Sequence, residues 1–284
     1  MEIKFENMKF GYSEDAVILN GIDLTISGPQ FISIIGPNGV GKSTLIHCIN
    51  KILTPTSGEV YLNGKNVKEY SLRDMAKEIG YVPYKSQGVF PMLVVDAILL
   101  GRNPHASWKT STKDLLKVEE VMKKLDIEDL AMRNYNELSA GQHQRVMLAR
   151  GLVQEPKILL LDEPTANLDV KYQIGISRLL KKLSREEDIL VIMISHDLNL
   201  AARYSDNVIL LSGGKVFAVG KPEDVMTEEN ISKVYGVECK VVEDEGKPLV
   251  ILEDYSIEES APQEGSCCII NDDSCKEPVD NPTE

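Results

Sequence analysis

The sequence lacks any long hydrophobic run. Its longest uninterrupted apolar stretch, ILVIMI at residues 189–194, has the length of a strand. A helix that crosses a bilayer needs roughly 18 or more apolar residues in a row. The opening residues, MEIKFENMKF, also lack the basic segment followed by an apolar segment that marks a secretory signal. We therefore expect a protein that stays in the cytoplasm unless a partner draws it to a membrane.

Positively charged residues are also fewer than negatively charged ones. The chain of 284 residues carries 31 lysines and arginines against 44 acidic residues, for a net charge of −13. Ten acidic residues and one lysine lie from Glu253 onward, so this tail carries −9 and the remainder only −4. Sequence-independent binding to duplex DNA requires a cationic surface, so we expect no nucleic-acid partner. The polar, acidic composition of residues 253–284 predicts a disordered tail.

Cysteines are few and are not spaced as zinc ligands. The chain has five, of which Cys48 and Cys239 are isolated and Cys267, Cys268 and Cys275 form a C-C-x6-C cluster in the tail. This spacing matches no zinc site. Cytosolic cysteines are usually reduced, so we expect free thiols.

Continuous apolar runs that alternate with helical patterns define the fold class. Residues 3–12 and 16–26 alternate apolar and polar side chains, as antiparallel strands do, whereas FISII (31–35) and ILLL (158–161) are continuous and predict buried strands. The stretch from about 86 to 155 is mostly helical in pattern. We predict an α/β protein with a mainly parallel sheet, an N-terminal antiparallel β subdomain and an inserted α-helical subdomain at about 86–155.

A glycine-rich loop follows the first buried strand. GPNGVGKS, residues 36–43, fits the phosphate-binding pattern G-x-x-x-x-G-K-[ST], and a helical pattern comes directly after it. Glycines let successive backbone N–H groups turn towards a phosphate chain, Lys42 adds a positive charge, and the Ser43 hydroxyl reaches Mg²⁺. The predicted phosphate site comprises Gly36, Pro37, Asn38, Gly39, Val40, Gly41, Lys42, Ser43 and Thr44.

Two carboxylates end another buried strand. Asp162 and Glu163 follow ILLL at 158–161. In open α/β folds, ligands bind at the carboxyl ends of the strands. Beside a phosphate loop, Asp162 is therefore expected to hold Mg²⁺, and Glu163 to polarise the water that attacks the γ-phosphate of the nucleotide. Together these segments predict a nucleotide hydrolase.

Three further segments narrow the kind of hydrolase. LSAGQ (138–142), LLLDEPTANLD (159–169) and SHD (195–197) occur in that order, and together with the phosphate loop they resemble the ATP-binding subunits of ABC transporters. The resemblance covers the chain up to about residue 252. It implies a P-loop NTPase core of the RecA-like type, with residues 1–252 as one nucleotide-binding domain that binds and hydrolyses ATP with Mg²⁺.

The resemblance also assigns roles to individual positions. Tyr12 would stack on adenine, Asp162 would bind Mg²⁺, and Glu163 would be the general base. His196 would contact the γ-phosphate and hold the attacking water, while Asp169 would brace the opposite subunit. The signature loop would consist of Ser139, Ala140, Gly141 and Gln142.

The signature loop is a second phosphate-binding segment in a chain that already has one. A right-handed β-α-β connection would place Ser139 beside Asp162 of the same chain, but the inserted subdomain makes that inference unsafe. One γ-phosphate gains little from a second loop of the same chain. The resemblance implies that two copies pair head to tail, with each ATP held between the phosphate loop of one copy and the signature loop of the other.

The sequence departs from the family pattern at two places. Ala140 replaces the usual glycine, which is tolerable where the backbone φ is negative. Tyr84, in YVPYKSQG, replaces a glutamine that ligates Mg²⁺ and communicates with the membrane partner. Either the loop shifts so that Gln87 takes this role, as a metal ligand and catalytic residue, or the metal accepts water instead. We assign the role to Gln87.

The segments VVDAILLGRNPH (94–105) and VYGVECKVVEDEGKPLVIL (234–252) resemble importers of iron–siderophore complexes, haem and cobalamin. This implies an ATPase homodimer at the cytoplasmic face of the membrane, docked beneath a transmembrane permease dimer, with a substrate-binding protein outside. In this reading Gly101 and Arg102 belong to a permease-coupling loop. The alternative is a soluble ABC-type ATPase without a permease, acting in iron–sulfur assembly or DNA repair.

Overall fold

The computed structural model describes residues 1–13, 16–84, 91–105, 111–166 and 168–253. Gln87, the predicted disordered tail beyond Glu253 and the first residues of the predicted helical subdomain lie outside these ranges, so the statements about them stay predictions. Within the described ranges, no helix combines the length and the apolar content that a bilayer crossing requires.

Strands and helices alternate along most of the chain. The strands are β1 (Glu2–Gly11), β2 (Val17–Ser27), β3 (Phe31–Ile35), β4 (Ser57–Leu62), β5 (Lys65–Asn66), β6 (Ile79–Val82), β7 (Ile158–Leu161), β8 (Leu190–Ile194), β9 (Asn207–Ser212), β10 (Lys215–Gly220), β11 (Cys239–Asp244) and β12 (Lys247–Leu252). The helices are α1 (Lys42–Ile49), α2 (Leu72–Glu78), α3 (Val94–Leu99), α4 (Thr112–Lys124), α5 (Ala140–Leu152), α6 (Val170–Glu186), α7 (Leu198–Tyr204), α8 (Pro222–Val225) and α9 (Glu228–Tyr235).

The central sheet has six strands in the order β10-β9-β3-β8-β7-β6. The pairs from β9 to β6 are parallel, and only the edge strand β10 is antiparallel to its neighbour. Every residue of β3, β7 and β8 is buried, which matches their continuous apolar sequences. The predicted, mainly parallel α/β sheet is confirmed.

The N-terminal segments form a separate antiparallel sheet in the order β2-β1-β4-β5. Their alternating sequences bury one face, which packs with α1 against the central sheet in one apolar cluster. The turn between β4 and β5 has positive φ at both Asn63 (51°) and Gly64 (77°), as the Asn-Gly sequence predicts for a tight hairpin. The predicted antiparallel β subdomain is therefore confirmed.

Helices α3, α4 and α5 lie between β6 and β7 along the chain, and their apolar faces form one cluster with the other face of the central sheet. Helix α4 begins with a capping box, in which the Ser111 hydroxyl accepts from the Asp114 N–H and the Asp114 side chain accepts from the Ser111 N–H. The helical character predicted for this stretch is present in its described residues.

The C-terminal strands β11 and β12 pair as an antiparallel hairpin that rests on α7. The Asn199 side chain joins the two elements through both of its amide atoms. Its Nδ2 donates to the Val250 carbonyl at 3.1 Å, and its Oδ1 accepts from the Val250 N–H at 2.8 Å. The hairpin thus packs beside the segment that carries His196.

The backbone of Gly101 and the side chain of Arg102 are buried inside the protein, and the expected contact of this segment with a permease stays a prediction. A side chain at Gly101 would meet the Arg150 carbonyl oxygen at 2.3 Å. The buried Arg102 guanidinium donates to Asp114 Oδ1 at 2.9 Å, to the Val153 carbonyl at 2.8 Å and to Glu155 at 2.8 Å. Arg102 therefore ties the turn after α3 to α4 and to the end of α5. The pattern alone could not distinguish an exposed arginine from one with buried partners.

The carboxylate of Asp114 responds to this environment. Hydrogen bonds from Ser111 and then from Arg102 lower the pKa of Asp114 to about 2. Because its folded pKa lies below the unfolded value, the ionised group stabilises the fold above about pH 4, and this contribution is lost as the pH falls towards 2.

Arg102→Met should lower the free energy of unfolding by about 3 kcal/mol at pH 7, because it leaves a buried carboxylate without its cation. The loss should narrow as the pH is lowered to about 3, because the contribution of the ionised Asp114 carboxylate is itself being lost as the pH falls towards its folded pKa of about 2. Urea denaturation at the two pH values measures both effects. The control, Arg185→Met, removes an exposed arginine 3.6 Å from Asp206, and should cost under about 0.5 kcal/mol. Equal losses in the two variants would contradict this account.

Candidate active site

The loop between β3 and α1 has a backbone that requires glycine. Gly36, Gly39 and Gly41 have φ values of 145°, 77° and 104°. A Cβ at Gly36 would lie 2.5 Å from the Leu211 carbonyl oxygen, and one at Gly41 would lie 2.6 Å from the Leu19 side chain. No side chain caps the start of α1, so its first N–H groups remain available to an anion.

Lys42 is held beneath this loop. Its Nζ donates to the carbonyl oxygens of Gly36 at 2.8 Å and Pro37 at 2.9 Å, and the residue is buried. Burial lowers the pKa of Lys42, while the negative charges of Glu163 and Asp162 act in the opposite direction. A poorly solvated ammonium group inside a glycine loop is a strong site for a polyphosphate.

Ser43 and Asp162 meet at the carboxyl edge of the sheet. The Ser43 hydroxyl donates to Asp162 Oδ1 at 3.0 Å. Because the proton points to the carboxylate, the lone pairs of the hydroxyl stay free to face a cation. Burial raises the pKa of Asp162, and the nearby charge of Glu163 adds to this rise, whereas the Ser43 hydrogen bond opposes it. This pair of oxygen donors fits Mg²⁺, which binds few protein ligands and completes its shell with phosphate and water.

Glu163 and His196 are brought together from two neighbouring strands. Glu163 follows β7 and His196 follows β8, and Glu163 Oε1 lies 2.5 Å from His196 Nε2. Glu163 has a φ of 49°, a left-handed conformation that is uncommon outside glycine. Both side chains are partly exposed, so they can reach a ligand or a water molecule.

Lys42, Ser43 and Glu163 open onto one cleft. A cavity of about 280 Å³ is lined by Tyr12, Ile18, Asn38, Gly39, Gly41, Lys42, Ser43, Thr44 and Glu163. Tyr12 is 69% exposed and stands edge-on to Phe10, with ring centroids 5.1 Å apart. Its ring is therefore free to stack on a planar ligand. The structure places Tyr12 beside the phosphate loop, and its stacking on adenine stays a prediction.

The signature loop is built differently from the phosphate loop. Ser139 caps α5, its hydroxyl accepting from the Gln142 N–H at 3.4 Å while Gln142 Oε1 accepts from the Ser139 N–H at 3.1 Å. Ala140 lies in the first turn of α5 and is exposed, with no positive φ, so its methyl group is tolerated there. None of residues 139–142 is among the described residues that line the cleft.

Asp169 and Tyr84, which the sequence analysis also singled out, both lie at the surface of the protein. Asp169 is exposed at the N-cap position of α6 and makes no capping hydrogen bond with its side chain. Tyr84, which stands where the family pattern has glutamine, is described and is 42% exposed. Gln87, the residue to which we assign that glutamine's role, lies outside the described residues, so its assignment stays a prediction.

Sequence reasoning missed a pair of residues close to Asp162. His47 Nε2 lies 2.9 Å from the Tyr81 hydroxyl, and the two rings meet edge-on. Burial lowers the pKa of His47 and raises that of Tyr81 to about 12, and the charge of Asp162 acts on both groups. The available signal was the spacing of His47, which lies one helical turn beyond Ser43 and therefore on the same face of α1.

Comparison with known proteins identifies the family. Residues 19–166 match the ABC transporter family. An uncharacterized ABC transporter ATP-binding protein of Methanocaldococcus jannaschii is 44% identical over 251 residues, covering 88% of this chain and 98% of the relative. The hemin import ATP-binding protein of Escherichia coli O157:H7 is 41% identical over 244 residues, covering 83% and 94% of the two chains.

Solved structures agree with this assignment. An inward-facing transporter described as being of the metal-chelate type superposes with a TM-score of 0.77 at 25% identity, over 89% of this chain and 98% of that one. A dimeric ATP-binding cassette bound to ADP and Pi has a TM-score of 0.68 at 32% identity, over 77% and 98%. On these grounds, and on the arrangement of its phosphate loop and carboxylates, the chain belongs to the ABC transporter family as an ATP-binding cassette, an ATPase whose hydrolysis is coupled to transport.

Proposed function

We propose that this chain is the ATPase subunit of an importer for metal chelates of the iron–siderophore, haem or cobalamin type. The observation that supports the ATPase assignment most directly is that Lys42, Ser43 and Glu163 line one cleft. Asp162 is hydrogen bonded to Ser43 and His196 contacts Glu163. Support for the cargo class comes from the relative named for hemin import, and from the metal-chelate type of a structural neighbour.

The phosphate loop and Lys42 bind the triphosphate. Lys42 now donates to two loop carbonyls, and a nucleotide would draw the same ammonium group onto its β and γ phosphates. Tyr12 stacks on the adenine at the mouth of the cleft. Ser43 and Asp162 would hold Mg²⁺, which when bound neutralises charge on the phosphate oxygens.

Glu163 and His196 act on the attacking water. The carboxylate of Glu163 accepts a proton from that water as it attacks the γ-phosphate. His196, 2.5 Å from Glu163 Oε1, orients the carboxylate before ATP binds and contacts the γ-phosphate afterwards. The left-handed backbone at Glu163 supports this role, since strained backbones cluster at functional sites.

Two copies share each ATP. The signature loop, Ser139–Gln142, is exposed or partly exposed at the start of α5 except for Gly141, and it does not line the cleft of its own chain. We expect it to bind the γ-phosphate of ATP held by a second copy, with Asp169 bracing that copy. The dimeric cassette bound to ADP and Pi supports this arrangement. Loss of the bridging phosphate would let the two copies separate.

The dimer works at the cytoplasmic face of the membrane beneath a permease dimer, and a binding protein outside delivers the cargo. The choice of importer over a soluble ATPase rests on the relatives. One relative is named for hemin import, and another is named for ferric enterobactin transport. Uptake of radiolabelled haem and of a ferric siderophore, compared in cells with the gene, without it and with Lys42→Ala, tests this directly. Equal uptake in all three strains would overturn the cargo class and leave the ATPase assignment standing.

Glu163→Gln should lower kcat at least about 100-fold, because the amide cannot accept the proton of the attacking water. ATP affinity should stay within about twofold, since the amide is almost the same size and the loop is untouched. Steady-state hydrolysis and calorimetric titration measure the two quantities. Glu119→Gln, on the exposed face of α4, is the control and should leave both unchanged. Substantial turnover by Glu163→Gln would exclude Glu163 as the general base.

Ser139→Arg should keep ATP binding by single copies while preventing ATP-dependent dimerisation, because a bulky side chain replaces the small hydroxyl and blocks the approach of the partner's phosphate to the start of α5. Hydrolysis should then fall about 100-fold. Ser111→Arg is a matched control, because Ser111 also caps a helix through a capping box but lies outside the signature loop. Sedimentation with Mg²⁺ and a non-hydrolysable ATP analogue distinguishes the variants. Normal hydrolysis by Ser139→Arg would refute the shared site.

A further inference from the structure

A second polar contact joins α1 to the edge of the sheet, one helical turn beyond Ser43. His47 Nε2 and the Tyr81 hydroxyl lie 2.9 Å apart, and both groups are only partly exposed. The rings meet at 83° with centroids 5.7 Å apart, so the contact has a defined geometry as well as a hydrogen bond. Neither residue belongs to the phosphate loop or to the carboxylate pair.

Tyr81 lies in a strand that pairs with the strand directly before Asp162. It lies in β6 opposite Leu160 of β7 in a parallel register. The Asp162 N–H donates to the Val82 carbonyl at 2.9 Å, directly beyond the same register position. A group anchored to Tyr81 is therefore anchored to the backbone of Asp162.

Helix α1 thus has two polar side-chain links to this strand pair among the described residues. The first is the hydrogen bond from Ser43 to Asp162 at 3.0 Å, and the second is the contact between His47 and Tyr81. Residues four apart on a helix lie on the same face, so the two links lie one above the other. A shift of α1 against β6 and β7 would therefore disturb both contacts.

We infer that His47 and Tyr81 are positioning residues for the metal site, holding α1 against β6 so that the Ser43 hydroxyl and the Asp162 carboxylate keep the separation that a divalent cation needs. This rests on the proposed role of Ser43 and Asp162 as the residues that hold Mg²⁺. Binding of the triphosphate itself depends on the loop backbone and on Lys42, which donates to the Gly36 and Pro37 carbonyls.

The experiment separates metal-dependent from metal-independent nucleotide binding. Calorimetry gives the ATP affinity of each variant with Mg²⁺ and with EDTA. Tyr81→Phe and His47→Leu should each weaken binding with Mg²⁺ about fivefold, the effect of one lost hydrogen bond, and should change binding in EDTA less than about twofold. The double variant should be no weaker than either single variant, because both remove the same contact.

Two conservative variants distinguish positioning from general stability. His47→Gln retains a group that can hydrogen bond to Tyr81 and should recover most of the lost affinity. Tyr70→Phe removes a hydrogen bond of similar length, from the Tyr70 hydroxyl to the Leu62 carbonyl at 3.1 Å, at a distance from the cleft. It should leave both affinities unchanged even where it lowers the denaturation midpoint.

The outcomes distinguish the positioning role of His47 and Tyr81 from the metal site itself. Equal loss of affinity with and without Mg²⁺, or no loss, in Tyr81→Phe and His47→Leu would overturn the positioning role. In that case Asp162→Asn should still abolish the Mg²⁺-dependent gain in affinity, and the proposed metal site would stand. Should Asp162→Asn retain that gain, the metal assignment fails and the inference about His47 and Tyr81 fails with it.

Discussion

The parallel hydrogen bonding of β3, β8 and β7 is the constraint on which the site depends. These three strands are neighbours, run in the same direction and are buried along their whole lengths. Their carboxyl ends therefore open at one edge, where the phosphate loop follows β3, His196 follows β8, and Asp162 and Glu163 follow β7. Burial at this edge disfavours the charged forms of both groups, and it lowers the pKa of Lys42 and raises the pKa of Asp162.

The sequence predicted the parts of this site that have a short-range pattern. The glycine loop requires positive φ at fixed positions, and a buried strand that ends in Asp162 and Glu163 puts both carboxylates at the carboxyl edge of a parallel sheet. The same reasoning could not predict contacts between distant segments. It did not predict that the Arg102 side chain is buried against Asp114, Val153 and Glu155. It also overlooked His47 and Tyr81, whose contact depends on how α1 packs beside β6.

The chain has a phosphate loop and a predicted second phosphate-binding segment, the signature loop. The two differ in how the N–H groups at the start of the following helix are used. The phosphate loop leaves α1 without a side-chain cap and has a lysine beneath it, so it is complete as a triphosphate site. The start of α5 already has a capping box, yet Ser139 and Ala140 are exposed. An exposed helix start outside its own chain's cleft is useful to a second copy. In the proposed dimer, ATP would be part of the interface, and its hydrolysis would change the affinity between the copies.

Crosslinking between copies tests whether two copies share each ATP. Asn38→Cys in the phosphate loop and Ala140→Cys in the signature loop are placed on separate copies whose native cysteines are replaced by serine. The two are mixed with Mg²⁺ and a non-hydrolysable ATP analogue. The account predicts a crosslinked product of twice the chain mass that forms only in the mixture and only with nucleotide. Crosslinking within a single chain that carries both substitutions, with none between chains in the mixture, would contradict it.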